Sequence, residues 1–281
     1  MELKIFKTLW GHEGSLDEAI SQAVEARFHG IEGQAPVENE HCARFNDALR
    51  RSGLQYIAEI TTAGSYVPSR HASLQEHLDD FEKKLESSLQ LNPIFITCLG
   101  GCDAWPEDKS LLFFEKAIRL AESAKISICF ETHRSRSLFN PWVTDRIVKA
   151  LPEIKLTCDF SHWCVVCERL MDSEQEVLER ISKNAHHIHA RVGYEQGPQV
   201  PHPAAPEYQY ALRAHQRWWE FIWQAQKEQS KSVVTVTPEF GPDGYLHHAP
   251  FTNEPVADLW ELNRWMADEE RQHFIKWCEY T

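Results

Sequence analysis

The 281-residue sequence lacks the features that mark several common protein classes. Its eight cysteines are too few for a disulfide-stabilised scaffold, and the CxxC formed by Cys164 and Cys167 has no second pair at the spacing of a structural zinc site. No apolar run approaches the ~20 residues that span a bilayer. The first residues also lack the charged, apolar and small-residue regions of a signal peptide. These absences predict a protein of the cytoplasm with no membrane partner.

Basic charge is also scarce. The chain has 29 lysine and arginine residues against 42 aspartate and glutamate residues, which gives a formal net charge of −13. No basic run offsets this charge, and an acidic surface repels the phosphate backbone of nucleic acids. We therefore expect no nucleic-acid partner. The hydrophobic share of 42% and the charged share of 25% are those of an ordinary globular protein.

Short apolar runs alternate with amphipathic segments eight times along the chain. In the first amphipathic segment, Leu16 and Ile20 share one helix face behind Ser15, a favoured N-cap residue. The predicted strands are 3–9, 30–33, 54–60, 94–99, 126–131, 154–159, 186–192 and 232–239, and the predicted helices are 15–28, 38–52, 72–91, 107–124, 139–151, 173–184, 207–229 and 255–274. Such alternation implies parallel strands joined by right-handed crossovers.

Eight strand–helix units are the number that closes a parallel barrel, and 281 residues is near the ~250 typical of that fold. An open doubly wound sheet is the alternative, but it usually carries a GxGxxG turn after its first strand, and GHEGS at 11–15 does not match. No linker divides the chain. We predict an α/β fold in which residues 1–281 form a single (β/α)₈ TIM barrel, with the irregular segment 192–208 as an active-site loop.

Acidic and imidazole side chains follow four consecutive predicted strands, the fifth to the eighth. They are Glu131, Asp159, His189 and Glu239. The carboxyl ends of neighbouring barrel strands meet at one mouth, and buried carboxylates need a cationic partner. This residue set suits one divalent metal ion such as Mn²⁺, Zn²⁺, Co²⁺ or Mg²⁺. His187 faces the same way as His189 but one layer deeper, and it is as consistent with a hydrogen-bonded barrel residue as with a ligand or substrate contact.

The same strand ends resemble a known group of proteins. The matching motifs are Glu131 in ETHR, Asp159 and His162 in DFSH, His189 and Arg191 in HIHAR, and Glu239 in TPEF. This pattern is similar to that of the xylose-isomerase-like TIM-barrel superfamily of sugar isomerases and epimerases. GIEG at 30–33 and GGCDAW at 100–105 extend the resemblance over nearly the whole chain.

The resemblance implies a role for each matching residue. The implied metal ligands are Glu131, Asp159, His189 and Glu239. Glu131 and Glu239 are also the implied catalytic residues, which remove and return a proton beside a carbonyl group. His162 and Arg191 are implied contacts to substrate oxygens. Members similar to endonuclease IV carry extra histidines at the third and fourth strand ends, where this chain has TTAGSY and LGGCDAW.

Three further residues are candidate substrate contacts. His133 lies two residues after Glu131, where it is either a contact or a loop histidine in water. Trp10 and Trp105 follow predicted strands, and sugars stack on such rings. The tryptophan-rich segments Trp218–Trp223 and Trp260–Trp265 indicate either core packing or a contact in a homo-oligomer.

Together these features predict a metal-dependent isomerase or epimerase that acts on a small sugar or sugar derivative. The expected chemistry is proton transfer between carboxylates through an enediolate, which a divalent cation stabilises. One alternative is a metal-dependent dehydratase similar to inosose dehydratase, which would remove a proton and then expel water. Another is a barrel that binds a sugar without turnover, although binding alone does not require two opposed glutamates.

Overall fold

The computed structural model describes residues 1–242 and 244–281. Within these ranges the strands are β1 (Glu2–Thr8), β2 (Gly30–Gln34), β3 (Gln55–Thr61), β4 (Ile96–Leu99), β5 (Ile128–Glu131), β6 (Leu156–Cys158), β7 (Ala185–His189) and β8 (Val233–Thr237). The α-helices are α1 (Leu16–Glu25), α2 (Asn39–Ser52), α3 (Leu74–Leu89), α4 (Glu107–Ser123), α5 (Pro141–Ala150), α6 (Ser161–Cys167), α7 (Gln175–Ser182), α8 (Gln209–Glu228) and α9 (Leu259–Tyr280).

The strands form a closed parallel barrel in chain order, which confirms the predicted (β/α)₈ fold. Each strand pairs with the next one, and the barrel closes where Ile5 of β1 lies opposite Val236 of β8. The order follows from strict strand–helix alternation, because each helix returns the chain for another parallel strand. None of the helices that the structure describes is long and apolar enough to cross a membrane.

Two helices differ from the sequence prediction. The helix α6 was not predicted, because its seven residues are too few to show a helical period. Its two cysteines, Cys164 and Cys167, are both free thiols, and Cys164 is buried. Helix α9 begins four residues later than predicted, where the Asp258 side chain accepts a hydrogen bond from the Glu261 amide, and it extends to Tyr280.

The barrel interior changes character along its axis. Near the amino ends of the strands, Phe6, Ile57, Phe95 and Cys129 form a buried apolar cluster. Polar side chains replace them toward the carboxyl ends, beginning with the hydroxyl groups of threonines on β4 and β6 that lie 3.1 Å apart. The buried Glu131, Asp159, His189 and Glu239 lie at this carboxyl end, which is the end that carries function in this architecture.

The tryptophans of α8 form part of the core. Trp219 and Trp223 are fully buried, and the Trp223 ring packs edge-on against Phe274 of α9 at a centroid distance of 5.0 Å. Trp218 is also buried. Trp223 therefore stabilises the contact between α8 and α9, and none of the three rings is exposed to a second copy.

Candidate metal centre

The four predicted ligands come together at the carboxyl ends of β5 to β8. Glu131 and His189 are the last residues of β5 and β7, Asp159 directly follows β6, and Glu239 lies two residues after β8. All four side chains are buried, and one ligand atom of each lies within 4.8 Å of the others. The structure therefore places three carboxylates and one imidazole around a common point, as a divalent cation requires.

Glu32 of β2 orients the imidazole of His189 from the opposite side of the barrel. Its Oε1 lies 3.1 Å from His189 Nε2, and its Oε2 lies 3.0 Å from His187 Nε2. The hydroxyl of Thr237 also donates to this carboxylate. Because a carboxylate only accepts hydrogen bonds, His189 Nε2 carries a proton and Nδ1 faces the cluster. A carboxylate behind the outer ring nitrogen is the usual support of a metal-binding histidine.

His189 Nδ1 is a buried polar atom without a hydrogen-bond partner among the described residues. It lies 3.0 Å from Glu239 Oε2 and 3.6 Å from Glu131 Oε1, but neither contact has the alignment of a hydrogen bond. Buried polar atoms are seldom left unsatisfied. This atom and the three carboxylates therefore fit a divalent cation.

Burial and mutual repulsion perturb the charges of the cluster. Burial, with the negative charges of Glu239 and Asp159, raises the pKa of Glu131 to about 7, against the opposing effect of His189. Burial alone would lower the pKa of His189, but the surrounding carboxylates raise it well above the usual value. The cluster thus attracts positive charge strongly, because its carboxylates lie in a region of low dielectric constant.

Arg191 supplies fixed positive charge beside the ligands. Its guanidinium donates to the carboxylate of Asp159, to Ser161 Oγ at 3.1 Å and to the backbone carbonyl of Glu239 at 3.3 Å. Its Nη2 also lies 2.7 Å from His162 Nε2. His162 Nε2 therefore accepts, which leaves its proton on Nδ1, a buried atom without a hydrogen-bond partner in the described structure.

Aromatic rings cover a small cavity of about 70 Å³ above the cluster. The rings of Trp10, Tyr66 and Tyr245 lie with their centroids 4.9 to 6.2 Å apart. The Arg191 guanidinium lies 5.4 Å from the Trp10 ring centroid and 4.7 Å from that of Tyr245. This volume holds only a few water molecules. A ligand larger than a few water molecules therefore has to displace at least one of these rings to reach the carboxylates.

The predicted substrate contacts divide into two groups. Trp10, His133 and Arg191 line the cavity, together with Glu131 and Glu239. His133 is buried, and its ring centroid lies 4.0 Å from that of His162, which is buried and is not among the residues that line the cavity. Burial and nearby arginine charges hold the pKa of His133 well below the usual value, so the imidazole is neutral.

Trp105 and His187, two of the predicted substrate contacts, are not among the residues that line the cavity in the described part of the chain. The turn after β4 leads Trp105 away from the mouth, so its ring packs against His77 of α3 at 4.5 Å. His187 lies one layer deeper in the barrel, where Nδ1 is 2.8 Å from Thr235 Oγ1 and Nε2 contacts Glu32. Trp105 is thus a packing residue, and His187 is a hydrogen-bonded residue of the barrel interior.

Sequence reasoning missed Glu59 of β3, which lines the cavity beside Gln34. Gln34 Nε2 donates to Glu59 Oε1 at 3.0 Å. Burial, together with the charges of Glu239, Glu131 and Glu32, raises the pKa of Glu59 to about 8. An acidic residue inside the apolar run LQYIAEI was the available signal, because an isolated charge in a buried strand needs a polar environment.

Arg136 braces the rim of the mouth. Its side chain is fully buried and donates to backbone carbonyls. Its acceptors lie after β3 and β4: Thr62 at 2.7 Å, Tyr66 at 3.1 Å, Gly101 at 3.3 Å, and Ser65. The guanidinium thus holds two neighbouring loops together and has no group left for a substrate.

Among the solved structures that match this chain are xylose-isomerase-like TIM barrels, which agrees with the predicted fold. Endonuclease IV from Thermus thermophilus is 12% identical with a TM-score of 0.61, and the match covers 100% of both chains. A D-psicose 3-epimerase solved in the presence of D-fructose is 14% identical with a TM-score of 0.61, over 96% of this chain and 98% of that chain. A probable 3-DHS dehydratase from Bacillus anthracis is 12% identical with a TM-score of 0.58, over 95% and 99%.

No family model matches the sequence, and no curated protein matches it. At these identities the similarity to solved structures establishes the fold alone. The three structures described above carry the names of enzymes with different reactions, and a shared barrel does not select among reactions.

Proposed function

We propose that this protein is a divalent-metal-dependent isomerase or epimerase of a small sugar or sugar derivative. The observation that carries the proposal is that Glu131 and Glu239 each belong to two features of the site. Both carboxylates belong to the ligand cluster, and both line the cavity in which a substrate would lie. Two carboxylates beside one binding position can remove a proton from a carbon and return it.

Glu131, Asp159, His189 and Glu239 would hold the metal. A divalent cation bound there supplies positive charge to the substrate oxygen that becomes negative when the proton leaves. The unsatisfied Nδ1 of His189 and the three buried carboxylates support this assignment. Mn²⁺, Zn²⁺, Co²⁺ and Mg²⁺ all accept such ligands.

The side chains of the cavity have the properties that proton transfer requires. Glu131 and Glu239 both present carboxylate oxygens to the cavity, and a carboxylate held beside a substrate carbon can act as a general base and then return the proton as a general acid. Arg191 presents a permanent positive charge to substrate oxygens, and His133 presents a neutral imidazole. The Trp10, Tyr66 and Tyr245 rings exclude water, which strengthens each of these electrostatic effects.

The test combines metal content with product analysis. Purified protein and the Asp159→Asn and Glu239→Gln variants are assayed for bound metal, with Glu153→Gln, an exposed carboxylate, as the matched control. The wild type and the control are then incubated with ketoses in deuterated water and followed by NMR and mass spectrometry.

We expect about one equivalent of metal in the wild type and the control, none in the two variants, and products of unchanged carbon skeleton carrying deuterium beside the carbonyl. A product lighter by one water molecule would replace the isomerase proposal by the dehydratase reaction. Sugar binding without any exchange of carbon-bound protons would contradict both reactions and indicate a binding protein.

A further inference from the structure

A second cavity of about 820 Å³ lies outside the barrel wall, between α1, the start of α9 and the segment after β8. Lys7 of β1 and Trp260 of α9 lie in its wall, with Phe28 beside them. We call this cavity the Lys7 groove. Trp10 lines both the groove and the mouth cavity, but the metal cluster has no ligand in the groove. A volume of this size suits a small-molecule site.

Lys7 is the buried charge of the groove. Because side chains alternate along a strand, Phe6 points into the barrel and Lys7 points outward. The residue is 6% exposed, and its Nζ makes one hydrogen bond, at 3.3 Å to the neighbouring carbonyl of Thr8. Within residues 1–242 and 244–281, no carboxylate oxygen lies within 4 Å of Nζ.

The described residues around Nζ are aromatic and not acidic. The Trp260 ring centroid lies 4.9 Å away, and burial lowers the pKa of Lys7 to about 8. A ring face compensates only part of the hydration that a buried ammonium loses. In a protein with a net charge of −13, a buried cation with no carboxylate partner among residues 1–242 and 244–281 is a position where a ligand can supply a negative group.

The outer wall of the groove has the opposite charge. Glu13, Glu18, Glu25 and Asp258 line it and are all exposed. Glu18 accepts a hydrogen bond from the Ser15 amide, and Asp258 accepts one from the first turn of α9. A ligand that enters therefore passes carboxylates before it reaches the single buried ammonium. This order of charge repels dianions and favours a molecule with a cationic end and an anionic end.

We propose that the Lys7 groove binds a small zwitterion of the amino-acid type. The ligand carboxylate pairs with Lys7 Nζ, and the ligand ammonium faces the acidic rim. The apolar part of the ligand lies against the Trp260 and Phe28 rings. This site is separate from the proposed isomerase reaction and does not depend on it.

Thermal denaturation of the full chain tests the proposal. The common L-amino acids are added one at a time at pH 7, beside acetate and propionate, which lack the ammonium, and beside inorganic phosphate. We expect at least one amino acid to raise Tm by about 3 °C at a concentration near ten times its Kd. The simple carboxylates and phosphate should leave Tm unchanged.

The variant Lys7→Met should abolish the shift. Since the substitution removes an unpaired buried ammonium, we expect the variant to remain folded and at least as stable as the wild type. Lys4→Met is the matched control, because Lys4 lies on the same strand but does not line the groove, and it should retain the full shift.

A measurement on the wild-type protein gives an independent result. The active amino acid should slow acetylation of Lys7 by an amine-reactive ester, read by peptide mass spectrometry, and should leave Lys4 unaffected. No shift with any amino acid would overturn the proposal, and so would a shift that Lys7→Met retains. A shift produced by phosphate or acetate instead would replace the zwitterion with a simple anion.

Discussion

The two halves of the barrel rim contribute different chemistry to the mouth. The ends of β5 to β8 supply the four candidate ligands and Arg191. The ends of β1 to β4 supply the Trp10 and Tyr66 rings and the hydrogen-bonded pair Gln34 and Glu59. The second half thus carries the candidate metal ligands, and the first half supplies two of the three rings that cover the space above them.

Glu32 links the two halves of the barrel rim. It is a carboxylate of the first half, but it contacts His187 and His189 of β7 instead of facing the cavity. Its position shows that the ligand half is not self-sufficient, because the orientation of His189 depends on a strand across the barrel. Eight strands that close on themselves make this contact possible, since opposite strands approach each other through the interior.

The largest expected effect separates two glutamates that line the same cavity from opposite halves. Glu131→Gln should lower kcat/KM by about 10²- to 10⁴-fold, because it removes a proton-transfer group. Glu59→Gln should retain most of the activity, because the Glu59 carboxyl, with a pKa of about 8, is already neutral at pH 7. Steady-state kinetics at pH 7 measure both. Equal losses of kcat/KM in the two variants would contradict the proposed difference between the two halves of the rim.

A smaller effect, on metal affinity, is expected when Glu32, the residue that joins the two halves, is replaced. Glu32→Gln should weaken metal affinity by about 10- to 100-fold, because the amide no longer accepts from both imidazoles as a carboxylate does. Competition with a chromophoric chelator measures the affinity. Glu59→Gln is again the matched control and should bind metal normally. An unchanged affinity in Glu32→Gln would show that His189 is held by its own half.

Metal affinity should also depend on pH. His189 has a pKa raised well above its usual value and Glu131 has one of about 7, so both carry protons in slightly acidic solution. Metal binding must displace these protons, so Kd should fall by at least about tenfold per pH unit from pH 6 to pH 8. Isothermal titration calorimetry in buffers of different ionisation enthalpy counts the released protons. A pH-independent Kd with no proton release contradicts the assignment of His189 as ligand.

The smallest expected effects on catalysis distinguish Trp10 from Trp105, two tryptophans of the first half of the rim. Trp10→Ala should raise KM by about 3- to 10-fold, because a stacked ring contributes about 0.5–1.5 kcal/mol. Trp105→Ala should leave KM unchanged and lower the free energy of unfolding by about 1.5–3 kcal/mol, since its ring packs on His77. Kinetics and urea denaturation measure the pair. A KM effect of Trp105→Ala would place that ring in the substrate path.

The ligand cluster could be predicted from the sequence because strand ends of a parallel barrel meet regardless of loop detail. Glu131 and Glu239 are 108 positions apart in the sequence and still line one cavity. Trp105 could not be assigned in this way, because its position depends on a turn within a loop. Glu59 was missed for another reason, since the rule of strand ends ignores a side chain two residues before the end of β3.

Arg136 has a consequence for redesign of the mouth. One guanidinium holds carbonyls of the loops after β3 and β4. Neither loop can therefore be shortened, lengthened or exchanged for that of another barrel unless its carbonyl acceptors are kept. A library that varies substrate preference would begin at the side chains of Tyr66 and Tyr245, which line the cavity, and would leave the backbone around Arg136 intact. For engineering purposes, this part of the rim is a single module.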